Sequence, residues 1–192
     1  MTILLPLILL LAPIKVEHGR FNITKDGKKI GAEEFSIAMQ GKNYTVDGKV
    51  TIGEVTISSR MELDDKLAPV SYEASSPEGK MRVTISSPIS ELQAIVGDET
   101  SSADFRFPEG GIILDNNLFH HYLILLYRVQ TGQTNFPVFV PQERSAGTAT
   151  VRATGPGAYE LQLGDLKMEA TTDHEGKLIK LTVPSANVVV ER

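Results

Sequence analysis

From Arg20 onward, apolar and polar residues alternate along the chain with a period of two, and turn residues interrupt the alternation at short intervals. This pattern is typical of antiparallel strands with one buried face and one solvated face. The apolar positions include Met81, Val83 and Ile85, then Ala149, Val151 and Ala153, then Tyr159, Leu161 and Leu163, then Leu166, Met168 and Ala170. The pattern predicts a mainly β domain of about 10–12 strands.

Short turn motifs separate the predicted strands. Asp26-Gly27 and Asp47-Gly48 are dipeptides that favour tight turns, and Gly164-Asp165 fits a two-residue hairpin with glycine at its first central position. We therefore expect the chain to reverse direction at each of these three places.

In two segments the apolar residues change parity, first around Glu33-Glu34 and again around Gly53-Glu54. A slip of one residue turns every following side chain to the other face, so these positions predict β-bulges. Bulges let long strands coil. The predicted fold is a curved antiparallel meander sheet or an incomplete barrel.

One segment departs from the period of two. Asp115-Asn116-Asn117 offers capping oxygens, and an almost continuous apolar run follows it, with no proline before Pro137. This predicts one α-helix at about 116–130. Because the helix is apolar on nearly every side, we expect it to be buried across the concave face of the sheet.

The N-terminal residues form an apolar run from Ile3 to Ile14. The run is too short to cross a hydrocarbon core of about 30 Å but has the size of a secretory core segment. We therefore expect an export signal over residues 1–16, a single domain over 17–192, a periplasmic or secreted location, and no integral membrane span.

Composition excludes several classes of function. With 19 Lys and Arg against 24 Asp and Glu, the chain lacks the basic stripe that neutralises phosphates, so nucleic acid is not an expected partner. The chain has no cysteine, which excludes thiol catalysis, cysteine-ligated zinc and iron–sulfur clusters. No common nucleotide-binding or hydrolase motif occurs, so no cofactor, metal or catalytic residue is assigned.

The densest group of polar residues is Asp115, Asn117, His120 and His121, where Asn117 and His121 are four apart and share a helix face. A hydrolase or metal enzyme would use Asp115, His120 and His121, together with His174 from a later turn. The structural alternative is helix capping, with imidazoles bonded to neighbouring backbone. The doublet Glu33-Glu34 is interpreted as solubilising charge.

Aromatic residues cluster in sequence around the predicted helix. A curved sheet closed by an apolar helix has a shape that holds hydrophobic ligands. The expected lining of such a site is Phe105, Phe107, Phe119, Tyr122 and Leu126. The alternative is that these side chains fill the core and leave no cavity.

Three segments resemble uncharacterised bacterial secreted β-proteins. Gly19 to Glu33 fits the pattern G-x-F-x-I-x-x-D-G-x-x-I-G-x-E, and Leu114–Tyr122 and Asp173–Pro184 strengthen the likeness. Those proteins are similar in outline to the half-barrel of the periplasmic lipoprotein carriers. The resemblance implies a coiled antiparallel sheet with helical cover and an envelope location, and it carries over no catalytic residue.

The expected function is that of a non-enzymatic, exported envelope protein that binds an apolar ligand, such as a lipid or an acyl chain, between sheet and helix. Two alternatives stay open. One is a structural or protein-interaction module with a filled core, recruited by an envelope partner through a sheet edge or through Phe136–Pro141, whose prolines favour an edge. The other is the hydrolase or metal enzyme described above.

Overall fold

The computed structural model describes residues 16–116, 118–130 and 132–192. This part of the chain is mainly β, as the alternation predicts, with one α-helix and two short 3-10 turns. Within the described ranges, no helix reaches the length and apolar character that a membrane crossing requires. Most of the export segment predicted over 1–16 lies outside the described residues.

The strands number fifteen in the described residues, more than the 10–12 predicted, because many hairpins use turns of only two residues. The first eight are β1 (Glu17–Lys25), β2 (Lys28–Gln40), β3 (Asn43–Ile52), β4 (Val55–Leu63), β5 (Pro69–Ser76), β6 (Gly79–Thr84), β7 (Ser90–Val96) and β8 (Glu99–Phe105). The others are β9 (Ile112–Ile113), β10 (Asn135–Val140), β11 (Ser145–Gly155), β12 (Ala158–Leu163), β13 (Leu166–Thr172), β14 (Leu178–Val183) and β15 (Val188–Glu191). Helix α1 spans His121–Val129 and follows β9.

All strands belong to one open sheet built from two meanders. Strands β1 to β8 follow one another outward in one direction, and β15 back to β9 follow one another in the other. The pairing of β1 with β15 joins the two meanders at the centre. Every neighbouring pair is antiparallel except β9 and β10, which are parallel.

The chain connection from β8 to β9 requires the sheet to curve. These strands form its two opposite edges, which in a flat sheet of this size would lie about 65–70 Å apart. Yet only the short segment between Phe105 and Ile112 connects them, and a segment of that length spans at most about 25 Å. The sheet therefore curls until its edges approach each other, and β9 contacts β5 across the interior.

The core lies on one face of the curved sheet, which we call the core face. Phe21, Ile23, Phe35, Ile37 and Val46 are buried on it, as the alternation predicts. Helix α1 packs into the same core with buried side chains around most of its circumference. The expectation of one buried helix is confirmed, since its all-round apolar character needs cover on every side.

The predicted helix start at residue 116 is wrong, because α1 begins at His121. His120 occupies the N-cap position without a side-chain capping bond, and the first turn holds no acidic residue. The side chain of Asp115 does not cap the helix because it bonds to Tyr72 on β5.

The bulge predicted near Gly53-Glu54 is wrong, and the bulge predicted near Glu33-Glu34 lies three residues earlier on β2. Glu33 and Glu34 pair regularly with Val50 and Lys49 of β3, and Gly53-Glu54 is the two-residue turn between β3 and β4. A register shift between β1 and β2 instead leaves Ile30 as the extra residue. From Gly31 onward the pairing of β2 with β3 is regular, so Glu33, Phe35 and Ile37 share one face of β2.

Two further expectations are wrong, because tertiary contacts override the local sequence pattern. Asp47-Gly48 is not a turn, since β3 runs straight through it and Gly48 pairs with Phe35 and Ser59. The segment Phe136–Pro141 is not an exposed edge, because β9 covers part of β10 and Phe139 is 4% exposed. An interaction surface centred on Phe139 is therefore excluded.

Candidate functional site

A buried carboxylate links the sheet to the segment before the helix. Glu33 lies on the core face of β2 and is completely buried. Its Oε2 accepts a hydrogen bond from the backbone N–H of Phe119 at 2.9 Å, and its Oε1 accepts one from the N–H of His120 at 3.3 Å. The same Oε1 lies 2.5 Å from Nδ1 of the His120 ring. One side chain of the sheet thus accepts hydrogen bonds from three donors in the segment that leads into α1.

The His120 ring lies against the sheet between β3 and β4. Its Nε2 is 3.4 Å from the hydroxyl oxygen of Ser59 on β4. On β3 the ring lies directly over Gly48, where an added Cβ would be 2.1 Å from the ring carbon Cε1. A side chain at position 48 would occupy the space of the imidazole, so glycine is needed there for close approach rather than for a turn.

A second set of polar groups adjoins the first. The Tyr72 hydroxyl donates to Oδ2 of Asp115, and the backbone N–H of Asp115 donates to Nδ1 of His121 at 3.0 Å. The His121 ring packs edge-on against Tyr72 and against His120, with centroids 5.4 Å and 4.5 Å apart. The six side chains that we call the polar cluster are Glu33, Ser59, Tyr72, Asp115, His120 and His121.

Burial controls the ionisation of this cluster. Desolvation raises the pKa of Asp115 to about 6, although the hydrogen bond from Tyr72 works in the opposite direction. Burial, followed by the neighbouring His120, lowers the pKa of His121 well below its ordinary value, so this ring is neutral near pH 7. Burial and then the charge of Asp115 raise the pKa of Tyr72, which stays a donor.

The Ser59, His120 and Glu33 side chains stand in the order nucleophile, base and orienting carboxylate that hydrolases use. However, Ser59 points toward the core and is 7% exposed, and His120 and Glu33 are sealed beneath the helix entry. Among the described residues, no three His, Cys, Asp or Glu side chains are grouped so as to hold a metal ion. The role that this geometry supports is structural: the hydrogen bonds anchor the start of α1 to the sheet.

The structure brings together Asp115, His120 and His121, three of the predicted polar residues. Asn117 lies outside the described residues. His174 is exposed on the turn after β13, among Gly157, Tyr159 and Gln130, and is not part of the cluster. The hydrolase and metal-enzyme hypotheses therefore lose His174, one of their four proposed site residues.

Sequence reasoning missed Glu33, Ser59 and Tyr72. The interpretation of Glu33 as a solubilising charge is wrong, because Glu33 is buried whereas Glu34 faces solvent. The parity of Phe35 and Ile37 pointed to this outcome, since it places residue 33 on the same face.

The predicted aromatic lining divides into two parts. Phe105 and Phe107 pack ring against ring with Phe139, at centroid distances of 4.2 and 6.3 Å. Phe119 and Tyr122 are half-buried, and Leu126 is fully buried within the core. These side chains contribute to the packed core around α1.

A groove opens beside the polar cluster, on the core face of β4 to β7. We call it the β4–β7 groove; its volume is about 330 Å³. Its lining consists of Ile57, Ala74, Ser75, Ser76, Glu78, Gly79, Lys80, Met81, Ala94, Val96, Asp115, Asn116 and Gln142. Ile57 also lines a smaller adjoining groove of about 260 Å³ with Val50, Ile52 and Val55. The result is an apolar depression with Asp115 at its wall.

Over the residues that the structure describes, the fold and this site define a single-sheet β-protein with one helix on the core face, anchored by a buried polar cluster beside an apolar groove. No protein-family model, curated protein or solved structure matches the chain.

The raised pKa of Asp115 has a measurable consequence. Because the folded state holds this proton more tightly than the unfolded state, the contribution of Asp115 to stability is greatest below about pH 4 and falls as the pH rises to about 6. Between pH 4 and pH 7 we expect wild type to lose roughly 2–3 kcal/mol relative to Asp115→Asn. Urea unfolding across this range measures the difference.

A difference in the free energy of unfolding between wild type and Asp115→Asn that stays constant across this pH range would contradict the assignment of a raised pKa to Asp115.

Proposed function

We propose that the protein is a non-enzymatic, exported protein that binds the apolar chain of a lipid or similar ligand in the β4–β7 groove. The observation that carries the proposal is the groove itself, whose floor is formed by the side chains of Ile57, Ala74, Met81 and Ala94. Its volume lies at the lower end of the range for small-molecule sites. An acyl chain lying there would gain about 0.8 kcal/mol for each methylene removed from water.

The state of the side chains supports the same proposal. Ile57, Ala74, Met81 and Ala94 are half-buried, whereas the apolar residues further along the same strands, such as Val83 and Leu92, are fully buried. The apolar face of β4 to β7 thus extends past the part that α1 and its entry segment cover. Val96, at the rim, is 62% exposed.

This proposal moves the ligand away from the aromatic lining that the sequence predicted. The rings of Phe105 and Phe107 already pack against Phe139, the first stacked on it and the second edge-on. The site proposed here uses aliphatic side chains of β4 to β7 instead. It keeps the predicted kind of ligand and the predicted core face.

Export is proposed on the apolar run Ile3–Ile14 and on the resemblance to secreted β-proteins. Native mass spectrometry of the protein purified from its own host tests location and ligand together. We expect a chain shortened by about 16 residues and an additional mass that is released on unfolding. A full-length chain with no bound mass would contradict both parts.

Blocking the groove tests the binding site directly. Ala94→Trp should fill it and weaken binding of the apolar fluorophore N-phenyl-1-naphthylamine by about tenfold or more, because the indole occupies the ligand volume. Gln93→Trp places the same side chain on the opposite face of β7 and serves as the control. Titration by fluorescence measures both affinities.

The chain contains no natural tryptophan, so the introduced indole also reports its own surroundings. At position 94 its emission should be that of an indole in an apolar environment, because the side chain lies in the groove. Equal affinities for the two variants would contradict a ligand site in the groove.

A further inference from the structure

We infer that the β4–β7 groove selects a single-chain amphiphile whose head group, a hydroxyl or an ammonium, donates a hydrogen bond to Asp115. This inference rests on the proposed function and adds to it the chemistry of the ligand's head. It also excludes a free carboxylate as the preferred head.

The first observation is an unpaired acceptor inside the wall of the groove. Asp115 lines the groove although its side chain is only 3% exposed. Its Oδ2 accepts the hydrogen bond from Tyr72, whereas Oδ1 has no hydrogen-bond partner among the described residues. A buried carboxylate oxygen without a donor costs free energy, so a donor brought by the ligand would remove a penalty already present in the protein.

The second observation concerns the other polar groups around the groove. The Asn116 amide donates to Glu143 at 3.2 Å, and the Asn116 backbone N–H donates to Gln142 at 3.4 Å. Glu78 and Lys80 lie at the rim, are both exposed and carry opposite charges. Water and salt screen the electrostatic interactions of these two exposed charges, whereas the charge of Asp115 acts in an environment that excludes water.

The geometry then fixes the orientation of the ligand. The tail lies over Ile57, Met81 and Ala94, and the head lies at Asp115. An ammonium or hydroxyl head would donate to Oδ1, and a hydrogen bond to a charged group is stronger than one between neutral groups. A carboxylate head would meet a like charge and would provide no donor.

Four probes built on ten-carbon chains separate these effects: decylammonium, 1-decanol, decyltrimethylammonium and decanoate. Isothermal titration calorimetry with wild-type protein at pH 8, where Asp115 is ionised, should show decylammonium and decanol binding at least about tenfold more tightly than decanoate. Decyltrimethylammonium carries the positive charge but no N–H, so it should bind about tenfold more weakly than decylammonium. Equal affinities for these two cations would overturn the inference.

Two variants locate the effect. Asp115→Asn keeps an acceptor for Tyr72 and removes the charge, so the preference for decylammonium over decanoate should fall below about threefold. Asp98→Asn removes one charge from the exposed turn between β7 and β8, outside the lining of the groove, and should leave the preference unchanged. An equal loss in both variants would overturn the inference, because it would show that only long-range charge is involved.

The outcomes also distinguish this inference from the proposed function. If no decyl compound binds, the proposed function fails and the inference fails with it. If all four heads bind equally and Ala94→Trp weakens each of them, the groove binds apolar chains and the head-group inference alone is wrong.

Discussion

Replacing Glu33 by leucine is expected to lower the free energy of unfolding by about 3–5 kcal/mol, because it removes the acceptor of two buried donors and one partly buried donor at once. The N–H groups of Phe119 and His120 and the Nδ1 of His120 would lose their only carboxylate partner within hydrogen-bond distance among the described residues. Each buried donor left without an acceptor costs about 1–3 kcal/mol. Urea unfolding of wild type and variant measures the loss.

Glu34→Leu is the matched control, since the neighbouring side chain faces solvent and makes only a loose ion pair with Arg20 at 3.9 Å. We expect it to change stability by less than about 0.5 kcal/mol. Amide hydrogen exchange at Phe119 and His120 should accelerate in Glu33→Leu and stay unchanged in Glu34→Leu. Similar stabilities for the two leucine variants would show that the buried carboxylate does not anchor the helix.

Replacing Gly48 by alanine is expected to cost about 1–3 kcal/mol, because the new methyl group would overlap the His120 ring. The ring has little room to retreat, since Glu33 holds Nδ1 at 2.5 Å and Ser59 lies 3.4 Å from Nε2. Thermal or urea unfolding measures the change.

Gly147 on β11 provides the comparison. An alanine methyl group there would meet nothing nearer than 3.9 Å, so Gly147→Ala should be neutral or stabilise by up to about 1 kcal/mol through reduced freedom of the unfolded chain. Adding His120→Ala to Gly48→Ala should remove most of the cost at position 48, and a double-mutant cycle gives the coupling. A cost for Gly48→Ala that persists without the ring would contradict the steric explanation.

The stability experiments and the binding experiments address different parts of one region. Glu33, Gly48 and Ser59 hold the entry of α1 on β2 to β4, whereas Asp115 and Tyr72 join that entry to β5 and to the groove. Because His120 and His121 are adjacent and their rings touch, the two sets are packed as a unit. We therefore expect variants of Glu33 to weaken ligand binding indirectly, through the position of Asp115.

Much of the fold could be predicted because it depends on local periodicity. The alternation in segments such as Met81–Ile85 places one side of each strand in the core, and the apolar run after Asn117 requires a covered helix. Both features follow from the spacing of side chains along a single element. The boundaries of those elements are predicted less accurately, as the start of α1 at His121 shows.

The candidate site could be predicted only in part. Asp115, His120 and His121 are close in sequence and were found, whereas Glu33, Ser59 and Tyr72 come from three separate strands. Their meeting depends on strand register, and register depends on the bulge at Ile30 and on the continuation of β3 through Asp47-Gly48. No local pattern distinguishes a glycine that turns the chain from one that admits an imidazole.

By itself, the sequence determined that this protein is a β-rich chain with one buried helix, because apolar periodicity dictates which face of each element leaves water. Only the tertiary structure decided that the two edges of the curved sheet approach each other without pairing, that a glutamate is buried beneath the helix entry, and that an apolar groove remains beside Asp115. These features arise from contacts between residues that are far apart in the chain, such as Glu33 and His120, which are 87 positions apart. Their geometry exists only when the strands have paired.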